Sequence, residues 1–108
     1  MAEKEFLKYL DKYANDRIRM RISVENGAVI DIVVQYETLI EDKWVAVVRY
    51  DCAHGFFHRD VIYPNGDKVK QVIEIDRLDA ALLYAEKDLK DKWEFYKHRY
   101  LKKIKNDK

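Results

Sequence analysis

Scarcity is the first thing this chain offers. Its 108 residues hold one cysteine, one proline, three glycines and two glutamines. A lone thiol, Cys52, excludes an internal disulfide framework, so a reducing, cytoplasmic setting is expected. So few glycines and prolines leave no linker or low-complexity segment, and one α+β domain spanning residues 1–108 is expected. No apolar run approaches a membrane span, and the opening "MAEKEFLKYL" has no stretch of signal-peptide length. A large charge of one sign is also missing: 21 basic residues face 20 acidic ones. That excludes a uniformly basic nucleic-acid binder.

What is present is charge in quantity and apolar pattern. Charged residues make up 38% and apolar residues 48%. With few amides, that composition is one thermophilic proteins favour. The charge is uneven. The last twelve residues, "KHRYLKKIKNDK", carry net +5, and the rest carries net −4. A basic end can serve as an electrostatic arm or simply complement a helix dipole.

The periodicity predicts a short helix over Ala2–Asn15, with Phe6, Leu7, Leu10, Tyr13 and Ala14 on one stripe. From Arg17 the period becomes two. Ile18, Met20, Ile22 and Val24 alternate with Arg17, Arg19, Arg21 and Ser23. Past Gly27, Ile30, Ile32, Val34 and Tyr36 alternate in turn. A three-residue loop of Glu25, Asn26 and Gly27 would oppose Ile22 to Ile30 and keep both apolar rows together. Arg21 would then face Asp31. The three arginines can track a nucleic-acid backbone, or they can merely keep an exposed strand soluble.

Two further strands are expected over Trp44–Asp51 and Phe56–Tyr63, joined by "CAHG" with Asp51 opposite Phe56. One face then holds Trp44, Ala46, Val48, Tyr50, Phe57 and Val61, with Arg59 as its one charge. "PNG" marks a turn, and Lys68–Ile75 reads as a weaker strand. Asp76 is the expected N-cap of a helix over Arg77–Lys105. That helix would span roughly 40 Å, against about 27 Å for an eight-residue strand. The expected overhang and its aromatic end, Trp93, Phe95, Tyr96 and Tyr100, must pack on the N-terminal helix or on another subunit, and they motivate a homo-oligomer, a dimer, formed through the C-terminal helix. The fold class is α+β: an antiparallel meander of about five strands packed against a long C-terminal helix, with a short N-terminal helix.

Chemistry concentrates in "RYDCAHGFFHRD", residues 49–60. Arg49, Asp51, His58 and Asp60 fall on one strand face, with His54 in the loop above. Two histidines and an arginine can accept a proton, donate one and hold a phosphate. Aspartates can fix the imidazoles. These five are the candidate catalytic residues, and RNA or a partner protein is the candidate partner. The alternative is a solvent-facing strand pair laced with ion pairs. A metal site using His54 and His58 with the aspartates is a third possibility; no metal or cofactor is assigned. Cys52 reads as a small loop residue.

The string "VVRYDCAHGFFHRDVIYPNGDK", with "IVVQYE" upstream, resembles a family of small uncharacterised archaeal and bacterial proteins. Its pattern is Arg-Tyr-Asp, Ala-His-Gly-Phe, His-Arg-Asp and a Pro-x-Gly turn, over roughly residues 28–70. That family usually has Thr at the place of Cys52. The chain is also similar in layout to TumE-like toxins, which have an Arg-x-Asp strand before a His-rich stretch. This similarity implies a toxin-like, RNA-directed protein, with ribonuclease activity resting on Arg49, Asp51, His54 and His58. The rival reading is a non-enzymatic, oligomeric interaction module in which the cluster is structural.

Overall fold

The computed structural model describes residues 2–52 and 55–106. Six strands form one antiparallel meander in chain order: β1 (Ala2–Tyr9), β2 (Asp16–Glu25), β3 (Ala28–Ile40), β4 (Lys43–Asp51), β5 (His58–Ile62) and β6 (Lys68–Val72). One helix, α1 (Leu78–Asn106), lies across β3 and β4. The α+β class and the long helix agree with the sequence; the strand count is six rather than five.

The expected N-terminal helix is a strand. Residues 2–9 pair with β2 from Ala2↔Val24 to Tyr9↔Arg17. All eight are exposed, so burial does not choose their conformation. The open edge of β2 does, because its unpaired amides and carbonyls gain partners from an extended neighbour. The helical reading ends at a reversal instead. The Asp11 carboxylate accepts hydrogen bonds from the backbone of Tyr13, Asn15 and Asp16 at 3.0–3.3 Å, and Ala14 turns through φ 58°.

The first hairpin corrects the expected register. Its turn is two residues, Asn26 and Gly27, at φ 52° and 79°, the left-handed pair such turns need. A two-residue turn alone would mix the faces. A bulge between Val24↔Val29 and Ser23↔Asp31 absorbs one residue and restores the phase. Ile22 then meets Ile32, Met20 meets Val34 and Ile18 meets Tyr36. Ile30 is the residue left over, 41% exposed. Arg21 lies opposite Val33, and the expected Arg21–Asp31 pairing is not formed.

A second bulge, at Tyr36/Glu37, sets Ala46 against Glu37 and Val48 against Tyr36. It buries Val47 and reverses the alternation expected before it. Val45 packs on the core, while Trp44 lies under the Arg17 guanidinium at 3.7 Å.

Under α1 sit Ile18, Met20, Ile32, Val34, Tyr36, Val48, Tyr50 and Phe57, all buried. Ala81, Ala85 and Leu89 face them at four-residue spacing, and the small alanines allow close approach of helix to sheet. The helix begins one residue after its expected start: Ala81 N–H donates to the Arg77 carbonyl at 2.9 Å, so Arg77 rather than Asp76 is the capping residue. The apolar residues at the far end of α1 pack within the chain, with Ile104 half-buried against the core. Trp93 packs edge-on against Tyr36 at 6.2 Å, and Tyr96 and Tyr100 are buried.

Arg59, the expected charge on the core face, is paired there. Its guanidinium reaches Asp88 at 3.3 Å and the Tyr96 hydroxyl at 3.1 Å. Asp88 also accepts hydrogen bonds from Tyr50 and, at 2.7 Å, from Tyr96. Burial pushes the Asp88 carboxyl up, but those hydroxyls and the charges of Arg59 and Lys92 outweigh it and hold the group below the usual carboxylate range. No helix among the described residues is long and apolar enough to cross a membrane.

Candidate functional site

The face of the sheet away from α1 carries the polar half of each alternating strand. The bulges and turns decide which polar residues become neighbours there. Arg49 lies opposite Asp60, and Asp51 lies opposite His58. The sequence reading placed Asp51 opposite Phe56 and Arg49 opposite His58, so the true register is shifted by two residues. An even shift keeps every residue on its face but changes its neighbours. Phe57 points inward as expected and stacks on Tyr50 at 5.6 Å, while Phe56 is 62% exposed.

His58 is therefore not an outward-facing imidazole. Its side chain is 4% exposed. Nε2 lies 2.8 Å from Asp51 Oδ1 and 3.7 Å from Asp60 Oδ2. Nδ1 lies 3.2 Å from the Phe56 carbonyl oxygen. A carbonyl can only accept, so Nδ1 carries a hydrogen. Arg49 donates from Nε to Asp51 Oδ2 at 3.0 Å, along its own strand. Asp60 is 6% exposed, and its Oδ1 has no hydrogen-bond partner among the described residues. Four of the five candidate residues, Arg49, Asp51, His58 and Asp60, thus converge. The fifth, His54, lies outside the described residues.

The sequence did not join this cluster to the first hairpin. The sheet does. Arg19, Arg21, Val33, Gln35 and Arg49, with Glu5, line a shallow cleft of ≈ 160 Å³. Arg19 donates to Glu5 from Nη1 at 3.0 Å and to Glu37 from Nε. Glu37 is otherwise taken up by Arg17 at 2.8 Å and Gln35 at 2.6 Å. Arg17 was expected on an exposed outer row; it is 8% exposed, held between Glu37 and the Trp44 ring. The signal for the cleft was in the sequence as alternation at Arg19 and Arg21. Only the strand order places Arg49 beside them, across β3.

Cys52 stands next to the cluster but is not prepared for nucleophilic work. Burial, then the charges of Asp31 and Asp51, pushes its thiol up to about 11. A larger cavity lies elsewhere. It holds ≈ 470 Å³ between the 63–68 turn and Lys103 of α1, and it shares Tyr63 and Val69 with a neighbour that includes Arg59, Lys92 and Arg99. This groove is basic, but it contains none of the five candidate residues.

A family model described as a domain of unknown function, DUF7718, matches residues 1–106. No curated protein and no solved structure matches the chain. The chain belongs to the DUF7718 family, which agrees with the uncharacterised family expected from the sequence and brings no activity with it.

Proposed function

We propose that this DUF7718 chain is an RNA-directed protein that binds the phosphates of a single strand on the open face of its sheet. The observation that supports this is the cleft of Arg19, Arg21 and Arg49. Among the described residues Arg21 has no acceptor, and Arg49 uses only Nε, on Asp51. Arg19 keeps Nη2 free of any protein acceptor among the described residues. Guanidinium nitrogens without protein acceptors are the donors that phosphate oxygens take. In this reading Asp51 orients Arg49, and His58 braces Asp51 from below. Cleavage is not assigned to His58: a ring 4% exposed, with both nitrogens facing oxygens, is poorly placed to exchange protons with a strand lying above it. The toxin-like ribonuclease implied by the resemblance is accordingly narrowed to binding. A cytoplasmic site of action belongs to the same proposal.

The rival module reading has its own support, since His58 and Arg49 both pair with Asp51. Self-association through α1 is proposed with it, on the exposed Leu83, Phe95 and Leu101 rather than on an overhang.

Salt dependence of RNA binding tests the proposal. Three arginines on three phosphates of a single strand give a log–log slope near about −2, and each arginine removed takes away about 0.7. Anisotropy of a short labelled RNA should show this slope between about 50 and 200 mM salt, with Arg21→Ala and Arg49→Ala each flattening it. Absence of binding at about 50 mM salt overturns the reading. So does loss of binding in Arg99→Ala with none in Arg21→Ala, which would move the RNA to the basic groove beside α1.

A further inference from the structure

Asp60 presents a problem that the RNA reading does not touch. It is a carboxylate 94% removed from solvent by its 6% exposure. Among the described residues its Oδ1 has no hydrogen-bond partner, and the His58 ring nitrogen nearest its Oδ2 is 3.7 Å away, beyond hydrogen-bond length. Its cross-strand neighbours Arg49 and Lys70 both carry donors, yet Arg49 turns to Asp51 and no bond joins Lys70 to Asp60 among the described residues. A buried charge needs a compensating partner.

The surroundings say what kind. One ligand atom each from Asp51, His58 and Asp60 lies within 4.8 Å of the others. Nε2 to Asp51 Oδ1 is 2.8 Å, and Nε2 to Asp60 Oδ2 is 3.7 Å. Ligands held about 2.1 Å from one metal in tetrahedral array stand about 3.4 Å apart. The two observed separations bracket that value. Nδ1 meanwhile donates to the Phe56 carbonyl. That is the outer-shell bond metal-binding histidines use to fix the ring and direct the Nε2 lone pair at the ion. In the neutral ring that lone pair would otherwise face two carboxylates. Arg49 pairs with Oδ2 of Asp51, and Oδ1 is the oxygen that faces Nε2 of His58.

We propose that Asp51, His58 and Asp60 form a three-ligand site for a first-row divalent cation such as Mn²⁺ or Zn²⁺. One imidazole and two carboxylates suit those ions better than Mg²⁺ or Ca²⁺, which favour all-oxygen shells. The positions the protein does not fill are left to water. The site needs neither RNA nor His54, so it stands or falls apart from the proposed function.

The test is metal binding by the full chain after chelator treatment. Titration calorimetry with Mn²⁺ and with Zn²⁺ should show one saturable site per chain. Asp60→Asn keeps the shape of the side chain and should weaken binding at least tenfold. Mn²⁺ added below one equivalent to the wild-type protein should broaden the NMR signals of Asp51 and of His58–Asp60 first, which decides the matter even if the variant does not fold. No saturable binding up to about 1 mM of either ion overturns the proposal. Undiminished binding by Asp60→Asn overturns it too, as does broadening centred on another residue such as His98.

Discussion

Replacing His58 by alanine separates a brace from a catalyst. If the histidine were a solvent-facing acid or base, its loss would cost little stability. The structure gives it a side chain 4% exposed, a 2.8 Å contact with Asp51 and a 3.2 Å contact with the Phe56 carbonyl. A hydrogen bond to a charged group contributes about 1.5–3 kcal/mol and a neutral one about 1. Asp51 and Asp60 would also be left facing one another with no ring between them. His58→Ala should therefore cost about 3–4 kcal/mol, a large share of the 5–15 kcal/mol typical of a domain. With a urea dependence of about 1.5 kcal/mol per molar, the unfolding midpoint should fall by about 2 M. Arg49→Ala should behave differently. Its side chain is 39% exposed, so its pair with Asp51 contributes under about 1 kcal/mol, and the midpoint should move by well under 1 M. Circular dichroism during urea titration reads both, with a chelator present so that bound metal does not intervene. A His58→Ala midpoint within about 0.3 M of wild type would refute the bracing argument. An Arg49→Ala shift as large as that of His58→Ala would refute the division of roles.

Two other expectations follow from packing and charge. The depressed Asp88 carboxyl contributes stability above its unfolded value of about 3.9 and loses it as pH falls through the lower folded value. The melting temperature should therefore drop below about pH 4, while Asp88→Asn should start about 3 kcal/mol less stable, with Arg59 left unpaired, and decline less steeply; equal slopes would remove the linkage. Self-association through α1 should appear in sedimentation velocity at about 10–100 μM and weaken in Phe95→Glu, and a monomer throughout that range would leave the helix face without a partner chain.

Much of the fold was legible because period and turn chemistry are local. The two-residue alternation from Arg17, the Pro64–Gly66 turn and the uninterrupted apolar stripe through Leu89 and Tyr96 each specify their element within a few residues. The same local logic put Arg49, Asp51, His58 and Asp60 on one face, since side-chain alternation survives any even shift in register. Three things were not local. Residues 2–9 carry a helical pattern but bury nothing, so the hydrogen-bonding edge of β2 chose their conformation. Ile30 and Val47 sit at bulges, which a period of two cannot announce because the extra residue is accommodated only by the partner strand. And the neighbours of His58 depended on the pairing of β4 with β5, which face alternation leaves open to any even shift. Sequence alone thus determined that a histidine, two aspartates and an arginine would share a surface. Tertiary structure decided that the histidine would be buried between the carboxylates, that Arg49 would stand beside Arg19 and Arg21, and that Asp60 Oδ1 would find no donor among the described residues, because those relations are set by strand order and packing between residues far apart in the chain.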